Sequence, residues 1–290
     1  MASAGAEIRE GGASRARRKR SSPAEWLKHG FIIATCVLIF YPFVLMVQTS
    51  LKDTGQIMFE FFSLKGPYHW DNYTFAWEMV SPLVWNSLIM AGGSALLGCL
   101  IAALAGYAFA KLKFPFKEAL FWVIFAKMLL PAVLNLIPSF VLAWRMGLLD
   151  TYWVVILFAV GGAQPFWVFV MRTFVSQQPH ELFESARIDG ASEFQTFRHL
   201  ALPLLKPMLA LSGIQVFLGV WNDYIWPLVT IQTQEMRPIT TGLAYLTTGY
   251  PGDYGPLMAG YTLASIPLLL LFSLGMKQFV QGLTGGAIKL

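Results

Sequence analysis

The chain has 290 residues, 56% of them hydrophobic, 13% charged, with a net charge of +5. A soluble domain carries roughly 25% charged residues, so an ordinary cytosolic enzyme is excluded. A disordered chain is excluded too, because it needs low hydrophobicity and high charge. The apolar runs are solid and approach the roughly 20 residues that cross a bilayer core. They do not alternate as membrane β-barrel strands do. The expected fold class is therefore all-α, a polytopic membrane protein.

In chain order, residues 1–27 form a basic tail with Arg9, Arg15, Arg17, Arg18, Lys19 and Arg20, followed by Lys28. Basic residues beside a first apolar run act as a topogenic signal, so the charge is not read as nucleic-acid binding. The first apolar stretch runs from Phe31 to Val47 and ends in VQTSLK. It exceeds a signal h-region and has no small-residue cleavage site, so it is expected to stay as a span. Six spans are expected: about 28–50, 83–109, 118–142, 152–173, 206–231 and 256–277. Residues 28–290 would form one transmembrane domain.

Basic residues orient these spans. One set of connections and ends holds 16 Lys/Arg and the opposite set holds four. Cytoplasmic segments carry the Lys/Arg excess, so both termini are expected to be cytoplasmic. Residues 51–82 and 232–255 are then outer loops, the second rich in Gly and Pro and expected to be mobile. Residues 174–205 form the longest inner connection. Cys36 and Cys99 lie in apolar runs, and two cysteines build no metal site.

Within the inner connection, Glu184-Ser185-Ala186, three residues, Gly190, nine residues, Leu200, one residue, and Leu202-Pro203 form a spaced pattern. Residues 181–188 lack Pro and Gly and suit a short helix. Glu184 is expected in its first turn, where the dipole favours an acid, sharing a face with Arg187. Gly190 suits a left-handed C-cap, and Ala186 with Gly190 makes a patch of small residues. A helix lying on headgroups would cluster Lys/Arg on its polar face, whereas this one is acidic.

This pattern resembles the EAA loop of membrane subunits of ATP-binding-cassette importers, E-A-A-x3-G-x9-I-x-L-P, with Ser185 and Leu200 as departures. The chain is most similar to the maltose-type inner permease of carbohydrate importers. Supporting segments are Ser50-Leu51-Lys52, Asn86-Ser87-Leu88, Tyr107-Ala108-Phe109, Trp221-Asn222-Asp223 and the tail Gly282 to Lys289. The resemblance implies that Glu184, Ser185, Ala186, Arg187, Asp189 and Gly190 form a coupling helix that docks on a separate ATPase. It implies a bacterial or archaeal inner-membrane location and four kinds of partner: a second homologous permease, an ATPase dimer, an extracytoplasmic solute-binding protein and a carbohydrate. No phosphate loop G-x-x-x-x-G-K-[ST] occurs, so no cofactor is expected on this chain, and ATP and Mg would sit on the partner.

Polar residues inside the spans suggest a path. Lys127 lies about 13 Å into the third span at 1.5 Å per residue, where a lysine costs on the order of 2.5–3.5 kcal/mol. Asp223 lies about 25 Å up the fifth by the same arithmetic, too far for a direct pair. Pro131, Asn135 and Pro138 are expected to kink the third span. Trp221, Asn222 and Asp223 combine stacking surface with hydrogen-bonding groups suited to a sugar. Tyr245, Tyr250 and Tyr254 in the outer loop are candidates for binding-protein contact, as the resemblance implies for that loop. Two alternatives stay open: an importer of a non-sugar solute, and a stand-alone secondary transporter. The latter leaves the inner loop unexplained and would favour an inverted repeat, which the chain lacks.

Overall fold

A computed structural model describes the backbone of residues 23–249 and 252–285, and side chains within 25–131, 133–247 and 252–273. The basic cluster at 15–20, Tyr250 and Gly286 to Lys289 lie outside the described residues. The helices in order are α1 (Pro23–Ser50), α2 (Thr54–Phe59), α3 (Asp71–Lys111), α4 (Lys117–Ala126), α5 (Leu136–Arg145), α6 (Tyr152–Ser176), α7 (His180–Ile188), α8 (Glu193–Thr196), α9 (Leu202–Leu204), α10 (Lys206–Trp221), α11 (Ile225–Thr230), α12 (Ile239–Gly249) and α13 (Tyr254–Gly285). The described residues contain no strand. The chain forms two compact units, residues 1–45 and 46–290. The first contains most of α1, a helix of almost uninterrupted apolar sequence.

Four helices are long and apolar enough to cross a membrane, and up to six spans result if each of two bent pairs counts as one. Within the second unit, α3 is the spine. Its 41 residues extend about 61 Å, twice the roughly 30 Å of a bilayer core, so the helix contains the expected span 83–109 and begins well ahead of it, at Asp71. In lipid, helices associate through close packing and not through hydrophobic collapse, which puts small residues at their contacts. Gly98, Ala102 and Gly106 form such a stripe on α3, four residues apart. A Cβ on Gly106 would collide with the Met171 Cβ of α6, so α6 crosses α3 there backbone against side-chain root. Gln164 on α6 donates to the Gly98 carbonyl at 3.2 Å.

Two core clusters lie along the spine. One gathers Tyr107, Phe109, Phe121, Trp167, Met171, Phe183, Phe197 and Leu205. The other gathers Val80, Leu83, Met90, Val154, Val155, Val220, Trp221 and Ile239.

Several expected boundaries are corrected. The third span is not a kinked helix but two segments, Lys117–Leu129 and Val133–Arg145, set 102° apart. Pro131 sits between them with ψ at 133°, an extended residue that no helix can include. The fifth span does not continue to 231. Its helix α10 ends at Trp221, and Glu193–Leu204 precedes it at a 75° bend. The two segments expected as outer loops are not simple loops either. Residues 51–82 hold α2 and the start of α3, and 232–255 hold α12, an 11-residue helix. Between α1 and α2, Lys52 is buried and donates to the Glu60 and Phe61 carbonyls at 2.7 and 2.6 Å. Burial pushes its pKa down, with Glu60 opposing.

Candidate functional site

The 174–205 connection builds a compact anchored helix. Pro179, with φ −53° and ψ 136°, leads into α7. The helix starts at His180, so its first-turn acid is Glu181 and Glu184 lies a turn further on, exposed. Gly190 takes φ +81°, a left-handed conformation open to glycine at little cost. There the Gly190 N–H donates to Arg187 O at 3.1 Å and the Ala191 N–H to Ala186 O at 3.0 Å. This pair of bonds is a Schellman C-cap. Ser192 then caps α8 in a reciprocal pair with Gln195.

One apolar side chain pins α7 to the bundle. Phe183 is 2% exposed, with its ring 6.3 Å from that of Tyr107 and with Lys111 Nζ 4.1 Å over its face. Lys111 also donates to the Gln178 carbonyl at 3.3 Å. The Tyr107 hydroxyl donates to Glu193 Oε2 at 2.8 Å. The other oxygen of Glu193 receives Arg187, at 3.2 Å from Nε and 3.1 Å from Nη2. Arg187 is therefore spoken for by Glu193, and Glu184, its neighbour on the helix face, is left exposed. Glu184, Ser185, Arg187 and Asp189 are exposed, Ala186 is half-buried, and Ile188 is 86% exposed. Sequence reasoning missed Phe183, Glu193 and Ile188. Phe183 was detectable as the one Phe, Tyr or Trp of a helix that also carries Leu182, Ala186 and Ile188.

In the spans, the candidates do not converge. Lys127, just past α4, donates to the Gly161 carbonyl at 2.9 Å. Asn135 is half-buried at the entrance to α5. Trp221 is a correction: it is 3% exposed and stacked on Phe217 at 5.5 Å. It fills core space and offers no ring face to a ligand. Asn222 folds back onto the Leu218 carbonyl at 2.9 Å. Asp223 lies beyond the end of α10, where its Oδ1 meets the Trp226 N–H at 3.4 Å. Among the described residues there is no Lys127–Asp223 pair and no cluster of His, Cys, Asp and Glu fit to hold a metal.

In the first half of α3, side chains hold the irregular backbone of 231–239. The Asn86 amide donates to the carbonyls of Glu235 at 2.7 Å and Arg237 at 3.0 Å and accepts from the Tyr152 hydroxyl at 2.7 Å. Ser87 Oγ accepts the Ile239 N–H at 2.8 Å, capping α12. From the loop before α6, Asp150 Oδ1 accepts the N–H groups of Gln232 at 2.6 Å and Thr233 at 2.9 Å. Chiefly the Thr233 N–H, against opposing burial, holds its pKa below the ordinary carboxylate value. Tyr245 on α12 is half exposed with the Arg237 guanidinium 3.6 Å over its ring, and Tyr254 opens α13, also half exposed.

With this geometry in view, the similarities to known proteins can be read. Residues 95–285 match the family described as the binding-protein-dependent transport system inner membrane component. The chain belongs to this family. It is a multi-pass inner-membrane permease subunit of a transport system. It is 32% identical to the lactose transport system permease protein LacG of Rhizobium radiobacter, over 89% of this chain and 94% of that one. It is 30% identical to the arabinooligosaccharides transport system permease protein AraQ of Halalkalibacterium halodurans, over 94% and 99%. The diacetylchitobiose uptake system permease protein NgcG of Streptomyces coelicolor is 29% identical, over 91% and 88%. Among solved structures, a chain of a bacterial ABC transporter that imports the acidic polysaccharide alginate superimposes with a TM-score of 0.75 at 17% identity, covering 89% and 98%. That match establishes a shared fold.

Proposed function

We propose that this chain forms half of the translocation path of an ATP-binding-cassette importer for a carbohydrate. The anchored helix α7 carries the reading. A polar helix held to the spine by Phe183 and Glu193, with Glu184 and Ile188 outward, is built to receive force from another protein. In this reading the coupling surface is Glu184, Ser185, Ala186, Arg187, Asp189 and Gly190. A partner ATPase dimer carries ATP and Mg, since this sequence has no phosphate loop.

The carbohydrate assignment is supported by the relatives named for lactose, arabinooligosaccharides and diacetylchitobiose. A relative named for sn-glycerol-3-phosphate, 29% identical, favours a second reading, a small polyol phosphate. Counting each bent pair as one span gives six, and the basic bias puts both termini and α7 in the cytoplasm. Asn135, Asn222 and Asp223 are the path candidates, without the buried Trp221 and with Lys127 engaged on the Gly161 carbonyl. Tyr245 and Tyr254 face an extracytoplasmic binding protein, and a second homologous permease completes the path. One solved relative is described as complexed with an alginate pentasaccharide-bound periplasmic protein, which supports such a partnership.

The test is Glu184→Lys in the purified complex. Glu184 is exposed, so the complex should assemble. Like charges facing across an interface cost several kcal/mol, so ATP turnover stimulated by loaded binding protein should fall at least about tenfold. Unchanged transport would overturn the coupling assignment.

A further inference from the structure

Helix α6 contains Pro165. In an α-helix the carbonyl of residue 161 accepts from the N–H of residue 165, and proline has no N–H. The Gly161 carbonyl is thereby left without its helical donor inside a span, where a backbone group needs a protein partner unless it lines a water-filled cavity. Gly161 and Gly162 have open space around them, so a side chain from a neighbouring helix can reach that oxygen. Lys127 does so, with Nζ at 2.9 Å.

The position of this bond gives it a further consequence. Helix α4 docks on α6 through a ladder. Arg172 holds both oxygens of Glu118 at 2.7 and 2.8 Å and lies 4.0 Å over the Phe121 ring. Phe169 then meets Phe121 at 6.4 Å and Phe125 at 5.3 Å. Lys127–Gly161 is the next rung, and α4 ends there: Lys127 opens a 3-10 turn, after which the chain swings through 102°.

We infer that Lys127 is a positioning residue, the substitute donor for the carbonyl that Pro165 leaves unpaired, and that this bond fixes where the third span breaks. The inference deepens the importer reading, in which the broken span lines the path. It explains why a lysine stands in a span by hydrogen bonding and not by charge.

The experiment is a double-mutant cycle in the purified complex embedded in lipid vesicles. It compares Lys127→Met, Lys127→Gln, Pro165→Ala and Lys127→Met with Pro165→Ala, reading the unfolding midpoint and ATP turnover. Side-chain hydrogen bonds between membrane helices are modest, so Met should lower the midpoint by about 2–4 °C and turnover about threefold. Gln, a neutral donor, should retain both. With Pro165→Ala the helix supplies its own N–H, and Met should cause no further loss. Gln failing like Met, no loss with Met, or equal loss in both backgrounds would overturn the inference. If Pro165→Ala does not assemble, the Gln and Met pair alone decides. The midpoint needs no solute, so a wild-type complex that responds to no sugar-loaded binding protein would sink the carbohydrate reading and leave this comparison intact.

Discussion

The two halves of α3 hold their neighbours by different means. At the Lys111 end, α7 is a regular helix with its own backbone bonds satisfied, and it is fastened by side chains: Phe183 in an aromatic pocket and Glu193 between Tyr107 and Arg187. In the first half, the chain from 231 to 239 is largely irregular and is fastened through its backbone, by Asn86 and Ser87 of α3 and by Asp150. The difference follows from what each segment lacks. A short polar helix lacks apolar contact, and one buried aromatic supplies it. An irregular segment lacks backbone partners, and each buried N–H or C=O must find one. The first fastening concentrates energy in one residue and the second divides it among several.

Truncating the concentrated fastening should have the largest effect. Phe183→Ala removes a fully buried aromatic, which costs about 3–5 kcal/mol. The expected outcome is an inserted chain whose α7 segment is cut rapidly by protease and whose ATP turnover no longer follows transport. A protected segment with normal coupling would mean that Tyr107, Glu193 and Arg187 suffice.

Dividing the energy predicts a smaller loss in the first half. Asn86→Ala strips donors from two carbonyls and leaves the Tyr152 hydroxyl without its acceptor. Unsatisfied buried groups cost about 1–3 kcal/mol. Hydrogen exchange should accelerate across 235–245 while α7 stays protected. Equal acceleration in both halves would break the comparison, because α3 would then transmit the loss.

The same contrast explains what the sequence disclosed. The apolar spans and the glycine end of α7 are local features, set by residues within a few positions of each other. The pairing of Arg187 was not legible, because Glu193 reaches it only after the chain turns at Gly190. Helix α12 was hidden for a related reason. Its Gly and Thr content reads as loop, and its N-terminus is capped by Ser87 from 152 positions away. The break in the third span was visible at Pro131 only as a kink. Its size depends on how α4 and α5 pack against separate neighbours, including the carbonyl freed by Pro165. Trp221 looked like a ligand platform because composition cannot distinguish a ring facing a cavity from one stacked on Phe217.

The smallest expected effect isolates a single charge. Asp150 sits at φ +56°, in the left-handed region that Asp and Asn tolerate better than most residues. Asp150→Asn therefore keeps the backbone and an acceptor oxygen while removing the titrating group. The N–H of Thr233, then that of Gln232, and the nearby Arg237 favour the carboxylate, and burial opposes them. Its folded-state pKa lies below the ordinary value, so its contribution is fully present above about pH 4 and is lost as pH falls through the folded value. At neutral pH the Asn variant should be about 1 kcal/mol less stable, read as faster amide exchange at Gln232 and Thr233. The gap should close as the wild type is acidified below about pH 4, because its own carboxylate then takes up a proton. A gap that stays constant through that window would mean that the oxygen's geometry, and not its charge, holds the 231–239 segment.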